Sequence, residues 1–392
     1  MLNKKISLSE PFFFKDDYRL LKKCIDSTWV STSGKYVDLF ERKISKFTGS
    51  KYAIATINGT SSLHISLMLA GVEHNHEVIA PCLTFIAPIN AIKYNLAEPI
   101  FMDVDDYCNI DENKTLEFIK NYTYYKKGKT FNKKTNKVIS ALLIVHVWGN
   151  ASSFSKLKSL CKKVNINIVE DASESLGTFY KKDFFDGKHT GTNSLLGCIS
   201  FNGNKIMTTG CGGMILTDNK ILAKKARYYI NQAKDDVYNF THNNVGYNYK
   251  LTNLNAALGL AQFKKINSFI KKRKLIYSIY KKNINKIKGL DIMRVPDYAK
   301  NNHWLSILKI DLEKYDKTLG QLQKILISKN IQTRPIWKLN HTQLPFKKNE
   351  TYKIENAEKL VKTCLCLPSS FNLTFNDQMK IIKLMDNKNV LG

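Results

Sequence analysis

Ser200-Phe-Asn-Gly-Asn-Lys205-Ile-Met-Thr-Thr-Gly210-Cys-Gly-Gly213 sets one lysine in a run poor in charge and rich in glycine. Gly203, Gly210, Gly212 and Gly213 let the backbone turn tightly and let another group approach it closely. A lysine that bonds covalently to a carbonyl carbon needs a partly desolvated setting of this kind. The chain holds 55 lysines, so a solvated lysine on a glycine loop is the ordinary reading of this stretch taken alone. Two further stretches change that reading.

Ile166-Asn-Ile-Val-Glu-Asp171-Ala-Ser-Glu174-Ser-Leu-Gly177 begins as a short apolar run that ends in acids. It reads as a buried parallel strand with Asp171 at its carboxyl end, the edge where ligands of α/β sheets collect. Ile54-Ala-Thr-Ile-Asn58-Gly59-Thr60-Ser61-Ser62-Leu-His-Ile reads as a strand, a turn of small residues and an amphipathic helix. The amides and hydroxyls of Gly59, Thr60 and Ser61 at that helix start suit an anion such as phosphate. A lysine amine, an aspartate for a pyridinium nitrogen and a phosphate cradle are together what pyridoxal phosphate (PLP) requires.

Four motifs then follow in order: Asn58-Gly-Thr60, Glu170-Asp-Ala-Ser173, Ser200 to Lys205, and Gly246-Tyr-Asn248-Tyr-Lys250-Leu-Thr-Asn253. With them the chain resembles the DegT/DnrJ/StrS-type sugar aminotransferases, fold-type-I PLP enzymes, from about Ile6 to its C-terminus. Through Thr190-Gly-Thr192, Ser200 to Thr209 and Thr333-Arg-Pro-Ile-Trp-Lys-Leu-Asn-His341 it is most similar to nucleotide-sugar 4-aminotransferases of the legionaminic-acid type.

The resemblance implies an α/β fold. A large doubly wound mixed-sheet domain over residues 1–265 would bind PLP, and a smaller α/β domain would occupy 266–392. It gives Lys205 the covalent bond to the cofactor and the proton transfers. Asp171 stands beside the ring nitrogen, Glu174 near the phenolic oxygen, and Gly59, Thr60, Ser61 and Ser200 at the phosphate. Asn248 matches a residue that reaches the phosphate from a partner subunit, so a homodimer with shared sites is expected. Phe85, or in its place Phe101, is the candidate to stack on the ring. Trp29, Arg334, Trp337 and Lys338 are candidates for substrate contact. The expected reaction moves an amino group from glutamate to a UDP- or GDP-linked 4-keto-6-deoxy sugar. Amination at C3 is the neighbouring alternative. Relatives that carry histidine in place of the lysine are dehydratases, and Lys205 argues against that chemistry. Cys211 stands where the family often has an acid, and Lys250 where arginine is frequent. Lysine lacks the bidentate fork of arginine.

Composition bounds these readings. The chain has 392 residues, 43% hydrophobic, enough for a large core and two domains. The first ten residues are polar and charged, and the longest apolar run, Ala141 to Val145, is too short to cross a bilayer. Eight cysteines without a CxxC pair fit a reducing cytoplasm and no metal centre. The net charge of +28 raises a nucleic-acid reading, yet only six of the 61 basic residues are arginine. Base readout and bidentate phosphate grip favour arginine. A positive field that draws in a nucleotide diphosphate is the preferred use of the charge.

Along the chain, helices are expected at 16–26, 35–48, 60–71, 86–95, 154–164, 219–233, 264–288, 316–329 and 353–363. Strands are expected at 52–56, 77–80, 99–103, 138–145, 197–201, 213–217 and 304–310. Ser27 to Gly34, with Trp29, reads either as a loop near substrate or as a turn capping the next helix. Residues 121–137, tyrosines among lysines, read as a solvated basic loop. One histidine with Asp183 and Asp186 is thin for a metal site.

Overall fold

The computed structural model describes residues 5–236 and 238–386. Eight strands form the main sheet, in the order Tyr52–Thr56, Gly213–Thr217, Leu196–Ser200, Asn167–Asp171, Ile139–Val145, Glu77–Pro81, Glu98–Met102, Thr351–Tyr352. The first two pairings are antiparallel and the other five parallel. Ile139–Val145 is buried along its whole length, as a strand covered on both faces by helices must be. The helix Gly59–Leu69 is not the amphipathic one expected: Ser61, Ser62, His64 and Ser66 are buried along with Leu63, Ile65 and Leu67, because the helix is covered on several sides within the core. This is the expected α/β architecture of a mixed sheet with flanking helices.

A second, antiparallel sheet runs Leu290–Ile292, Ser306–Ile310, Cys364–Leu367, Arg334–Pro335. Its core of Ile276, Leu308, Leu326, Leu365 and Ile381 is separate from that of the main sheet. The two halves are tied by chain exchange. Ile6 bridges to Ile331, and Thr351–Tyr352 returns to the main sheet beside Phe101 and Met102.

Several elements depart from the sequence expectation. Residues 121–137 are not an open loop. Thr123–Lys126 and Lys129–Asn132 pair as a hairpin, closed by Lys127 and Gly128, both at positive φ. That is the two-residue turn whose twist matches paired strands. Thr130 and Asn132 are buried, and the Asn132 amide donates to Glu77 at 2.9 Å and Glu350 at 2.6 Å. The helix expected to 233 stops at Ile230, because Gln232 and Ala233 turn left-handed. The lysine-rich helix runs only Ile266–Ile284. A final helix, Phe375–Met385, is capped by Thr374 and Asp377 in a reciprocal box. His189 is a core residue: its Nε2 accepts the Gly177 N–H at 2.8 Å.

Candidate active site

The carboxyl ends of the parallel strands and the start of helix Gly59–Leu69 open on one cavity. Its lining includes Asn58, Gly59, Thr60, Thr84, Phe85, Asp171, Ser173, Glu174, Ser200, Asn202, Asn204, Lys205, Cys211, Trp304 and Trp337.

The helix start is held by Asn58, whose side chain accepts the Ser61 N–H at 2.7 Å. That uses one of the free amides and leaves those of Gly59 and Thr60 at the mouth of the helix, where the dipole favours an anion. Gly59 is required there. A Cβ would stand 2.9 Å from the Ser200 Cβ and 3.2 Å from the Ser173 hydroxyl. Ser61 is buried, is not among the residues lining the cavity, and gives its N–H to the Asn58 cap.

Asp171 ends its strand buried, and its Oδ1 accepts the Ser173 N–H at 2.9 Å. Burial pushes its carboxyl above the usual aspartate range, against the pull of Ser173 and of the Lys205 charge. Behind it, the Nε2 of His146 lies 2.9 Å from the buried Glu170 carboxylate. The Ser152 N–H donates to Nδ1 at 3.1 Å, so the proton stands on Nε2, facing Glu170. Glu170 also accepts N–H groups from Gly191 and Asn193. Burial would raise its pKa, but these partners outweigh it and hold the carboxyl below its usual range.

Glu174 joins two parts of the site. Its Oε1 accepts from the Lys205 Nζ at 3.3 Å, and its Oε2 accepts the Trp148 N–H at 2.8 Å. Burial raises its pKa, partly offset by Lys205. Trp148 sits at φ +53, a conformation costly for a bulky residue, and its ring stacks on Trp337 at 5.0 Å. Lys205 itself is mostly buried, with Nζ 4.3 Å from the Trp304 ring centroid.

The aromatic alternatives separate cleanly. Phe85 is 51% exposed and lines the cavity. Phe101 is fully buried against His341 and Phe346, a core position. Trp337 faces Phe85 at 6.3 Å. It is shared with an adjoining cavity that holds Arg334, Gln332 and Trp148. Lys338 is exposed and lines neither cavity. Trp29 lines a separate cavity with Lys35, Tyr36 and Asn253. Its carbonyl accepts from Asn253 at 2.6 Å, which fixes the loop ahead of helix Lys35–Thr48, while the indole stays exposed. Asn248 bridges to Asn231 and does not line the Lys205 cavity of its own chain. Cys211 lines the cavity and its thiol donates to the Ile57 carbonyl at 3.0 Å.

Ser173, Asn202, Asn204 and Trp304 line the cavity and escaped the sequence reading as site residues, while Trp148, in the stretch 146–150 expected at the active-site edge, lines the adjoining cavity. Ser173 lay inside a motif already quoted. Trp304 had only the weak signal of an aromatic just before a strand.

Residues 14–386 match the DegT/DnrJ/EryC1/StrS aminotransferase family. The chain belongs to that family. It is 33% identical to the GDP-perosamine synthase of Escherichia coli O157:H7, over 96% of each chain. It is 32% identical to EpsN of Bacillus subtilis, over 98% of this chain and 96% of that one. The fold matches that of Helicobacter pylori PseC, an aminotransferase of pseudoaminic acid biosynthesis, with a TM-score of 0.86 at 23% identity, over 97% of this chain and 98% of that one. As a DegT/DnrJ/EryC1/StrS member, this chain is a PLP-dependent sugar aminotransferase. Its residues fit the cofactor. Gly59 leaves the room that a phosphate needs, and the buried Asp171 offers a carboxylate whose charged form a ring cation would favour. Lys205 stands in the same cavity.

Proposed function

We propose that this enzyme aminates C4 of a UDP- or GDP-linked 4-keto-6-deoxy sugar, with glutamate as donor, for a legionaminic-acid-like surface glycan. The observation that carries the reading is Lys205 Nζ held by Glu174 at 3.3 Å over Trp304, in one cavity with Asp171. Bound PLP supplies an electron sink that stabilises negative charge at the carbon losing its proton.

The protein does the rest. Lys205 would hold the cofactor covalently, and its amine, once free, would serve as the acid–base group that moves the proton. Asp171, fixed by Ser173, keeps the ring nitrogen protonated. Gly59, Thr60 and Ser200 hold the phosphate by amides and a hydroxyl. Glu174 keeps Nζ on one side of the cavity and steadies the Trp148 wall. Phe85 would cover the ring, and Arg334 and Trp337 would take the nucleotide sugar, with Lys338 and Trp29 at its outer reach. Asn248 serves the phosphate of a partner's site, so the working form is a homodimer, and it works in the cytoplasm. Three things support C4: the motif likeness above, Glu174 at a position where 4-aminotransferases of the family often carry Glu, and the name of the E. coli relative.

The test supplies the 4-keto sugar and glutamate and locates the new amine by NMR. An amine at C3, or turnover with free amino and keto acids only, overturns the assignment. Borohydride reduction of the holoenzyme should fix the cofactor on Lys205. A label on another lysine removes Lys205 from its role.

A further inference from the structure

Arg273 lies on helix Ile266–Ile284 and is almost fully buried. Among the described residues it pairs with no carboxylate. Burial pushes its guanidinium down to about 9, so it stays charged at neutral pH. A buried cation without a counter-ion is costly, and its hydrogen bonds show what it holds. One guanidinium nitrogen donates to the Trp304 carbonyl at 3.0 Å, the other to the Ser9 hydroxyl at 3.1 Å. Both partners converge on a single atom. The Trp304 indole donates to the Asn204 carbonyl at 2.7 Å, and the Ser9 hydroxyl donates to the same oxygen at 2.9 Å.

The four residues therefore form a closed ring of hydrogen bonds, and Asn204 is the residue before Lys205. The ring ties three distant parts of the chain to the base of the lysine. They are the N-terminal segment, the long helix, and the loop entering strand Ser306–Ile310. It also fixes Trp304, whose face lies under Nζ. Within the turn, the Gly203 N–H donates to the Asn202 side chain at 2.8 Å and the Lys205 N–H to the Asn202 carbonyl at 3.0 Å, and the ring adds the bonds that tie it to the rest of the chain.

We propose that Arg273 is a positioning residue for Lys205, acting through Ser9 and Trp304 to fix the Asn204 carbonyl and thereby the base of the lysine side chain. This rests on Lys205 being the residue that bonds the cofactor. A fixed base sets where Nζ can travel when the amine is released, so the ring acts on proton transfer and not on sugar binding.

The test uses Arg273→Met, Arg273→Lys, Ser9→Ala and Trp304→Phe in the full-length protein. In the apoprotein, hydrogen exchange of the segment 200–210 should quicken at least tenfold in Arg273→Met, while strand Ser306–Ile310 exchanges as before. In the holoenzyme, kcat should fall at least tenfold with KM for the nucleotide sugar within twofold. Ser9→Ala and Trp304→Phe each cut one link; both residues also line the Arg334 cavity, so they are read by exchange, and each should quicken 200–210 by a smaller factor if Arg273→Met fails to fold. Arg273→Lys reaches one acceptor and should fall between. Unchanged exchange in 200–210, a rise spread evenly over all segments, or a loss confined to KM overturns the proposal. The exchange result stands apart from the borohydride label, so a failure here and a failure of the Lys205 assignment are told apart.

Discussion

The cavity has a floor and a wall of opposite character. The floor, Asp171, Glu174, Ser200 and Lys205, comes from strand ends of the main sheet and the turns after them, and these side chains are buried and hydrogen-bonded. The wall is formed by Phe85, which is half exposed, and by Trp337, through which the cavity adjoins the one holding the exposed Arg334 of the second sheet. A charge in the floor works in a low dielectric and is fixed by packing. A charge on the wall is screened and costs little to change. Floor substitutions should therefore act on the chemical step, wall substitutions on what binds.

The largest expected effect is in the floor. Lys205→Ala should lower kcat by on the order of 10^4-fold or more with circular dichroism unchanged. A loss under tenfold would show that the floor is not the reacting end.

Asp171→Asn comes next, with kcat down by on the order of 10^2-fold. The same change should stabilise the apoprotein at neutral pH. Burial raises the folded-state pKa of Asp171 above its unfolded value. Between those two values the folded chain therefore binds more protons than the unfolded one, and stability falls as pH rises through that window. Asparagine removes this fall. Thermal melts of apoprotein from acid to neutral pH check it, and identical pH slopes for the two proteins would refute it.

On the wall, Arg334→Ala should raise KM for the nucleotide sugar about tenfold, the size of one charge-assisted hydrogen bond, with kcat within twofold. A fall in kcat instead would erase the distinction between floor and wall.

The smallest effect expected is Phe85→Leu, a loss of cofactor affinity of about threefold, on the order of 0.5–1 kcal/mol for an aromatic face, read by fluorescence titration.

The same contrast runs through what the sequence revealed. Strand Asn167–Asp171 and the position of helix Gly59–Leu69 were legible because local pattern decides them, an apolar run ending in acids and small residues ahead of a helix, but burial on several sides of that helix was not. Lys205 was singled out by its glycines only together with the stretches of Asp171 and Gly59, and the three line one cavity. Trp304 was not legible, because its meaning lies in a bond to Asn204 across 100 residues of chain. Trp148 owes its place to Glu174 and to Trp337, both remote in sequence. The hairpin at 123–132 was hidden by composition. Its lysines read as solvated, while the alternate residues Thr130 and Asn132 are the buried ones. Helix ends set by left-handed Gln232 and Ala233 gave no glycine to mark them.

The return of Thr351–Tyr352 to the main sheet has a consequence for synthesis. Strand Glu98–Met102 has one neighbour from Glu77–Pro81, made shortly before it, and the other only from residues 350–352. The partners Phe101 and Thr351 stand 250 positions apart (351 − 101). At roughly 5–20 residues per second, a ribosome takes roughly 12–50 s to supply that stretch. For that time an apolar edge with Ile100, Phe101 and Met102 stays open to strands of other nascent chains. A chain cut before Thr351 keeps that edge open for good, and its pelleted fraction on expression should far exceed that of the full chain. Slow translation between 102 and 351 should lengthen that exposure in proportion.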